Sequence, residues 1–375
     1  MQESASFIQV ILDMALWISA ILLLKPCFRY PYLANKTSRN ISVLLVFVFC
    51  TYAFWGGDYF HYNEIYNEAR HDFYGYFHLE NVYRWIIDNV AFTYTIFRII
   101  VWGGALLLLI ATYRRSSPNS DLCLFYFVAC YLCMFSYSRT SVSIALILLG
   151  LSFLANPKSK SKLWSTILCV AIIGSSVFFH RTAVIGIVAA VAALFLRNAG
   201  KKTLIIMIIV MPLIVIAMQY VLDYFMLMDL DEDAYVSARH RDRYMLSTSG
   251  RGRAVVGGIG ERISAYLTRI PLYLSGVLFI HMLASGKFRL FSKTEKLISS
   301  FAFTTVLIAL CFLIDLGYNT FTLHYRTLNF AMPANAVFLA AVHRLGFNNK
   351  ILKFIFWLSV LGQFYNLAYS AYCAL

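Results

Sequence analysis

Hydrophobic residues along this chain occur in continuous runs, and most of the polar stretches between the runs are short. A transmembrane helix needs a run of roughly 20 apolar residues, whereas a membrane-spanning strand shows alternation instead. The pattern predicts spans at residues 6–24, 41–55, 91–112, 122–137, 140–155, 163–179, 182–196, 203–222, 270–286, 297–317, 326–342 and 353–373. We therefore expect an all-α, polytopic integral membrane protein of about 12 transmembrane helices, forming a single transmembrane domain over residues 1–375.

The charged residues between the runs predict how the chain crosses the membrane. Lys and Arg collect in cytoplasmic loops. Alternate loops of this chain carry nineteen cations, including all twelve lysines, against only Asp121 and Glu295. This alternation predicts that both termini lie on the far side of the membrane. It also accounts for the net charge of +14 without any need for nucleic acid as a partner.

The composition excludes several classes of protein. Hydrophobic residues make up 60% of the chain and charged residues only 13%, against about 25% charged residues in a soluble domain. A soluble globular enzyme and a disordered chain are therefore excluded. The eight cysteines lie in or beside apolar runs, so no disulfide framework is predicted. No cofactor signature is found, because the glycines at 257–260 do not follow a strand.

Three arginines occupy unusual positions on the side opposite the basic loops. Arginines in the long outer segments 56–90 and 223–269 need no special explanation, because the cytoplasmic bias of Lys and Arg holds only for short loops. Arg139, Arg181 and Arg326, however, lie in short turns or at the end of a span. The spans flanking two of these turns are short, about 24 Å at 1.5 Å per residue, so we expect the turns to lie below the membrane surface.

Arginine at such a depth suggests an anion-binding site. The planar guanidinium group binds phosphate oxygens through two parallel hydrogen bonds and does not lose its proton. Arg98, one or two turns inside its span, is a further candidate. The alternative is that each arginine pairs with a buried acid, for which Asp13, Asp223 and Asp315 are available near outer ends.

The segment GGDYFHYNEIY begins at Gly56, at the outer end of the second span. Asp58 is suited to cap a helix, and Tyr59, Tyr62 and Tyr66 would then share one helix face. Spacing alone favours an interfacial helix with an aromatic face. The functional alternative is that the tyrosines stack on sugar rings while Asp58 accepts a hydroxyl proton.

Two further features are candidates for chemistry. His180 precedes Arg181 in a short turn, where a neighbouring cation favours the neutral imidazole that can act as a base. A helix cap or a packing residue is the ordinary role of such a histidine. The acidic run at 229–233 has oxygen ligands for a divalent cation, although a solvated loop explains it better. No metal site is therefore predicted.

Three segments of the chain resemble one known family. GGDYFHYNEIY, YSRTSVSIALILLGL (which contains Arg139) and VFFHRTAVIGIVAAV (which contains His180) occur in this order. Together with LHYRTLNF, in which Tyr325 precedes Arg326, they are similar to the EpsG/Wzy-type polysaccharide repeat-unit (O-antigen) polymerase family. The family's arginine is usually followed by glutamine, whereas Thr140 follows here.

This resemblance implies a polymerase of O-antigen or a similar glycan in the bacterial inner membrane. Such enzymes join undecaprenyl-diphosphate-linked oligosaccharides at the periplasmic face, have a glycosyltransferase-C-like fold and work with a partner protein that regulates chain length. Asp58, Arg139 and His180 would be the motif positions, and Tyr325 would join the other tyrosines as a sugar contact. The guanidinium groups of the candidate arginines would then stabilise the charge on the diphosphate, in place of a metal ion.

Three other functions use similar features. A flippase for lipid-linked oligosaccharides would also need cations and many spans, but it should place the cations near the bilayer midplane. An O-antigen ligase would share the chemistry and differ only in its acceptor. A membrane acyltransferase with a cytoplasmic donor would need an inner His–Arg pair, for which only His343 and Arg344 qualify.

Overall fold

A computed structural model of the chain describes most of its apolar segments. The described residues are 7–29, 36–53, 63, 65–67, 69–70, 80–116, 119–135, 140–156, 162–198, 200–228, 259–313, 321–347 and 349–374. Within these ranges the chain forms helices and turns and no strand, so the fold is all-helical.

The helices in the first half of the described chain are α1 (Phe7–Arg29), α2 (Lys36–Tyr52), α3 (Asn81–Asn89), α4 (Tyr94–Arg98), a π-helix (Ile99–Gly103), α5 (Gly104–Ser116), α6 (Ser120–Cys130), α7 (Leu132–Phe135), α8 (Thr140–Ala155) and α9 (Lys162–Phe179). The remainder are α10 (Ala183–Leu196), α11 (Lys201–Met228), α12 (Ile259–Ala284), a 3₁₀ turn (Lys287–Leu290), α13 (Lys293–Cys311), α14 (Phe321–Arg344) and α15 (Asn349–Ala374).

Each predicted apolar segment coincides with one of these helices or with consecutive helices. The largest difference is at α12, which begins at Ile259, eleven residues before the predicted span that starts at 270. The apolar run begins only after Arg269, but a helix continues through polar residues as long as its backbone hydrogen bonds persist. Helix α3 was not predicted, because its nine residues are too few and too polar to be recognised as a span.

Five described helical segments are long and apolar enough to cross a membrane. They are Ile8–Phe28, Tyr94–Ser116, Tyr266–Ala284, Lys293–Cys311 and Asn349–Tyr369. Other apolar helices, such as Thr140–Ala155 and Ala183–Leu196, have 10–17 residues. A membrane protein is therefore supported, whereas the count of twelve spans and the periplasmic termini stay predictions.

Helices α13 and α14 form the centre of the bundle. In the apolar window of α13, 83% of the residues are buried. Gly186 of α10 allows a close approach to α14, since a Cβ atom there would lie 2.8 Å from the Phe330 ring. Helix α11 exposes Ile205, Ile209 and Leu213, which is the surface expected of a helix that faces lipid.

The contacts between helices identify one end of the bundle, which we call the basic end. Near the end of α14, Arg344 donates a 2.8 Å hydrogen bond to the carboxylate of Glu295, in the first turn of α13. At the end of α5, Arg115 donates to the carbonyl of Asn156, just after α8 (2.7 Å). The hydroxyl of Ser292, just before α13, donates to the carbonyl of Ser116 (3.3 Å), which joins the two groups.

The other end, which we call the opposite end, is where α4, α8 and α14 begin and α2, α9 and α13 finish. Ser143, early in α8, donates from its hydroxyl to the carbonyl of Ser176 near the end of α9 (2.8 Å). His324, early in α14, contacts the carbonyl of Ala309 near the end of α13 (2.6 Å). The sequence places its candidate site residues at this end.

Candidate functional site

Four of the predicted site residues lie outside the described residues. They are Asp58, Tyr59, Tyr62 and Arg139. The acidic run at 229–233 also lies outside them. Within the described chain, no group of three His, Cys, Asp or Glu residues is arranged to bind a metal ion, and seven cysteines are free, buried thiols.

His180 lies in the turn between α9 and α10, and its side chain is buried. Its Nδ1 atom accepts a hydrogen bond from the backbone N–H of Thr182 (3.1 Å) and lies 2.7 Å from the Thr182 hydroxyl oxygen. A backbone N–H can only donate, so Nδ1 carries no proton. The proton of the neutral ring is therefore on Nε2.

The Nε2 atom of His180 faces Glu80, with 3.9 Å to Oε1. Glu80 is the residue before α3 and is largely buried. At 3.9 Å the two groups are electrostatic neighbours, and the carboxylate lies beside the Nε2 edge of the ring. In this arrangement both ring nitrogens of His180 face protein groups, and the role of His180 as a proton acceptor stays a prediction.

Arg98 is buried at the junction of α4 and the π-helix. Its Nη2 atom donates to the carbonyl of Ala53, just after α2 (2.7 Å), and its guanidinium carbon lies 5.8 Å from the centroid of the Tyr94 ring. Short π-helical segments are frequent at functional sites. Here the wider turn begins directly after Arg98.

The Tyr83 ring connects these residues. Its centroid lies 6.0 Å from that of Phe97, next to Arg98, and 5.9 Å from that of Phe179, next to His180. We call Glu80, Arg98 and His180 the His180 site. Sequence reasoning missed Glu80, because it lies in a long polar segment without a motif.

The predicted arginines Arg181 and Arg326 differ in their surroundings. Arg181 is exposed although the adjacent His180 is buried, and Arg326 is half-buried on α14. The two residues thus lie near the same end of the bundle, on different helices or turns. An anion pit formed by Arg139, Arg181 and Arg326 stays a prediction, because Arg139 lies outside the described residues.

Tyr66 packs inside the protein. Its hydroxyl donates to the carbonyl of Ala91 (2.7 Å), and its ring lies against Tyr94 and Phe97, with centroids 5.7 and 6.0 Å apart. Burial raises the pKa of Tyr66, and the neighbouring Arg70 partly offsets this shift. Only 3% of Tyr66 is exposed, so the residue packs in the interior. Its role as a sugar contact stays a prediction.

A second cluster lies where α12, α13 and α14 meet, and we call Arg269, Tyr273, His324 and Tyr325 the His324 site. The guanidinium carbon of the buried Arg269 lies 3.2 Å from the centroid of the Tyr325 ring. The hydroxyl of Tyr273 lies 2.8 Å from Nε2 of His324. Tyr325 was predicted as a sugar contact, and the structure places it over a cation.

Sequence reasoning missed most of the His324 site. Arg269 fell within the long outer segment 223–269, where arginines needed no explanation. The segment TRIPLYL did indicate that Arg269 and Tyr273 belong together, because they are four residues apart and so share a helix face. The partner helix α14 could not be identified from the sequence.

Comparison with known proteins identifies the family. Neither the search of curated proteins nor the search of solved structures gives a match. The sequence model of the EpsG family matches residues 36–374, which is nearly the whole chain. The chain belongs to the EpsG family, whose members are membrane proteins connected with polysaccharide biosynthesis.

Proposed function

We propose that this protein is an O-antigen or related polysaccharide polymerase. It joins undecaprenyl-diphosphate-linked oligosaccharide units at the periplasmic face of the bacterial inner membrane and releases undecaprenyl diphosphate. The observation that carries the proposal is the EpsG family match over residues 36–374 in an all-helical membrane protein. The buried Arg98 and Arg269 support it, because both lie at the end of the bundle opposite the basic end.

The position of the arginines suits a lipid-linked diphosphate. The lipid tail stays in the bilayer, so its diphosphate lies near the membrane surface and must be bound there. Arg98 is the fifth residue of the candidate span Tyr94–Ser116, and Arg269 lies in the first turn of Tyr266–Ala284. Both residues thus lie near one end of a candidate span, and this supports a role in binding a membrane-anchored anion.

The proposed reaction is a single displacement at the anomeric carbon of the growing chain. A hydroxyl oxygen of the incoming repeat unit forms a bond to that carbon, and the bond from the carbon to the diphosphate oxygen breaks. Arg98, Arg139, Arg181 and Arg326 stabilise the charge that develops on the leaving diphosphate, which is a preorganised electrostatic role.

The remaining predicted residues have supporting roles. Tyr59, Tyr62 and Tyr325 contact the sugars. Among the motif positions, His180 or, failing that, Asp58 is the predicted proton acceptor. A chain-length regulator is the proposed protein partner, as in the resemblance to Wzy-type polymerases.

The test is deletion of the gene in the source organism, followed by electrophoresis of its lipopolysaccharide. We expect the ladder to collapse to one repeat unit per core. Complete loss of the glycan would instead indicate a ligase or a flippase, and an unchanged ladder would contradict any role in this polymer.

Complementation of the deletion then tests the anion site. Arg98→Lys keeps the charge but loses the planar donor fork, and removal of one preorganised donor typically lowers turnover about 100-fold. We expect the ladder not to return, although the variant accumulates in the membrane. Arg289→Lys is the matched control, because Arg289 is exposed at the basic end. Full activity of Arg98→Lys would contradict the assignment.

A further inference from the structure

His324 has a defined tautomer in this fold. Its Nδ1 atom lies 2.6 Å from the carbonyl oxygen of Ala309. A carbonyl oxygen can only accept, so Nδ1 carries the proton of the neutral ring. Nε2 then has a free lone pair directed at the hydroxyl of Tyr273, 2.8 Å away, and the hydroxyl donates to it.

The two residues differ in their access to a substrate. His324 is 2% exposed, whereas Tyr273 is half-buried. Of the two residues, only the tyrosine presents part of its surface, so a substrate would meet the tyrosine and the histidine would act through it. The two rings lie at an interplanar angle of 26° with centroids 6.2 Å apart, and the hydroxyl contacts Nε2 at the edge of the imidazole.

A cation lies beside this pair. Arg269 is one helical turn before Tyr273 on α12, and its guanidinium carbon lies 3.2 Å from the centroid of the Tyr325 ring, next to His324. A nearby positive charge stabilises the oxygen of a tyrosine that is losing its proton. The same guanidinium group belongs to the first turn of the candidate span Tyr266–Ala284, at the end of the bundle where the proposed diphosphate would bind.

We propose that Tyr273, with His324 behind it, takes the place of the motif residues His180 and Asp58 and removes the proton from the attacking hydroxyl in the polymerisation reaction. The inference rests on the proposed function. As the acceptor oxygen forms its bond to the anomeric carbon, its proton passes to the Tyr273 oxygen, and the Tyr273 proton passes to Nε2 of His324. The electron pair of the broken bond leaves with the diphosphate, and the imidazolium later returns its proton to solvent or to the released diphosphate.

This assignment gives the two sites complementary roles. The pair at His324 can accept a proton, whereas the described hydrogen bonds of His180 leave that ring without an acceptor nitrogen. Tyr273 is the catalytic residue in this proposal, and His324 is a positioning residue that also takes up the proton.

The experiment uses the full chain in proteoliposomes with an undecaprenyl-diphosphate-linked repeat unit as substrate. A positioned general base contributes typically 10²–10⁴-fold to a rate, so we expect Tyr273→Phe and His324→Gln each to lower kcat at least about 100-fold with little change in KM. Because the residues act as one unit, the double variant should be no slower than either single variant.

The basic end of the bundle offers a matched control. There the hydroxyl of Tyr126 contacts Nδ1 of His343 at 3.0 Å, a second Tyr–His pair with one buried and one half-buried member. Tyr126→Phe makes the same chemical change far from the site, and we expect it to leave kcat unchanged. Equal losses in Tyr126→Phe and Tyr273→Phe would show that both pairs only stabilise the fold, and this would overturn the inference.

The outcomes separate this inference from the proposed function. If the wild-type protein does not polymerise the lipid-linked units, the proposed function fails. If it does, and Tyr273→Phe retains its kcat, only the role of Tyr273 fails. Additive losses in the double variant, or a rise in KM without a fall in kcat, would also contradict the proton transfer.

Discussion

His180 and His324 are buried histidines at the same end of the bundle, yet the backbone holds them in opposite tautomers. At His180 a backbone N–H donates to Nδ1 and the proton is on Nε2, whereas at His324 a backbone carbonyl accepts from Nδ1 and the lone pair is on Nε2. One ring therefore presents its Nε2–H to Glu80 at 3.9 Å, and the other accepts a hydrogen bond from Tyr273. The difference shows that the chemistry available to a histidine depends on which backbone group binds its first nitrogen.

Replacing each histidine by asparagine is expected to give the largest contrast. At position 180 the amide oxygen can take the place of Nδ1 and accept from the Thr182 N–H, so the rate should fall less than about tenfold, the value of one net hydrogen bond. At position 324 the amide nitrogen can still donate to the Ala309 carbonyl, but the shorter side chain has no acceptor atom in the place of Nε2 to bind the Tyr273 hydroxyl. There we expect a loss of about 100-fold or more.

Polymer formation in proteoliposomes measures this contrast, and His281→Asn, which changes an exposed histidine near the basic end, serves as control. A larger loss at position 180 than at position 324 would reverse the assigned roles. It would return the proton-accepting function to the first histidine.

The sequence predicts the helices much better than it predicts these two roles. A long apolar run is a local property, so segments such as 140–155 coincide with helices at both ends. The tautomer of His180 depends on a turn that brings the Thr182 N–H to the His180 ring. The tautomer of His324 depends on contact with the Ala309 carbonyl of the neighbouring helix α13. Neither depends on hydropathy.

Burial of the arginines was only partly predictable. The depth of Arg98 followed from its place inside an apolar run, but the π-helix after it depends on packing against α2. Gly103 is part of that contact, since a Cβ atom there would lie 2.7 Å from the Phe47 ring. Arg269 was assigned to a solvated segment, because its helix begins in polar sequence and its partner Tyr325 is 56 residues away.

Gly186 tests whether the two histidine sites depend on one helix contact. Helix α10 begins three residues after His180, and at Gly186 it packs against Phe330, six residues after His324. In Gly186→Ala the new Cβ would lie 2.6 Å from Cδ1 of Ile147 and 2.8 Å from the Phe330 ring. Because overpacking costs about 1–3 kcal/mol, we expect lower stability and lower turnover together.

Thermal unfolding in detergent, followed with a thiol-reactive dye, measures the stability, since the described cysteines are buried and free. Gly174→Ala is the matched control, because a Cβ atom there meets nothing within 4 Å. Unchanged stability and unchanged turnover in Gly186→Ala would mean that α10 and α14 adjust independently of the two sites.

The smallest expected effect comes from Thr182→Val, which separates the two groups that contact His180. The variant loses the hydroxyl 2.7 Å from Nδ1 but keeps the backbone N–H that fixes the tautomer. We expect a loss of about 0.5–1.5 kcal/mol of stability, the net value of one hydrogen bond, and a change in turnover of no more than a few-fold.

Thr112→Val is the matched control, because it removes a similar hydroxyl near the basic end, where Oγ1 donates to the Leu108 carbonyl (2.9 Å). It should cost as much stability without affecting turnover. If Thr182→Val lowers turnover as far as His180→Ala does, the hydroxyl and not the backbone N–H orients the ring, and the contrast between the two histidines no longer follows from their backbone partners.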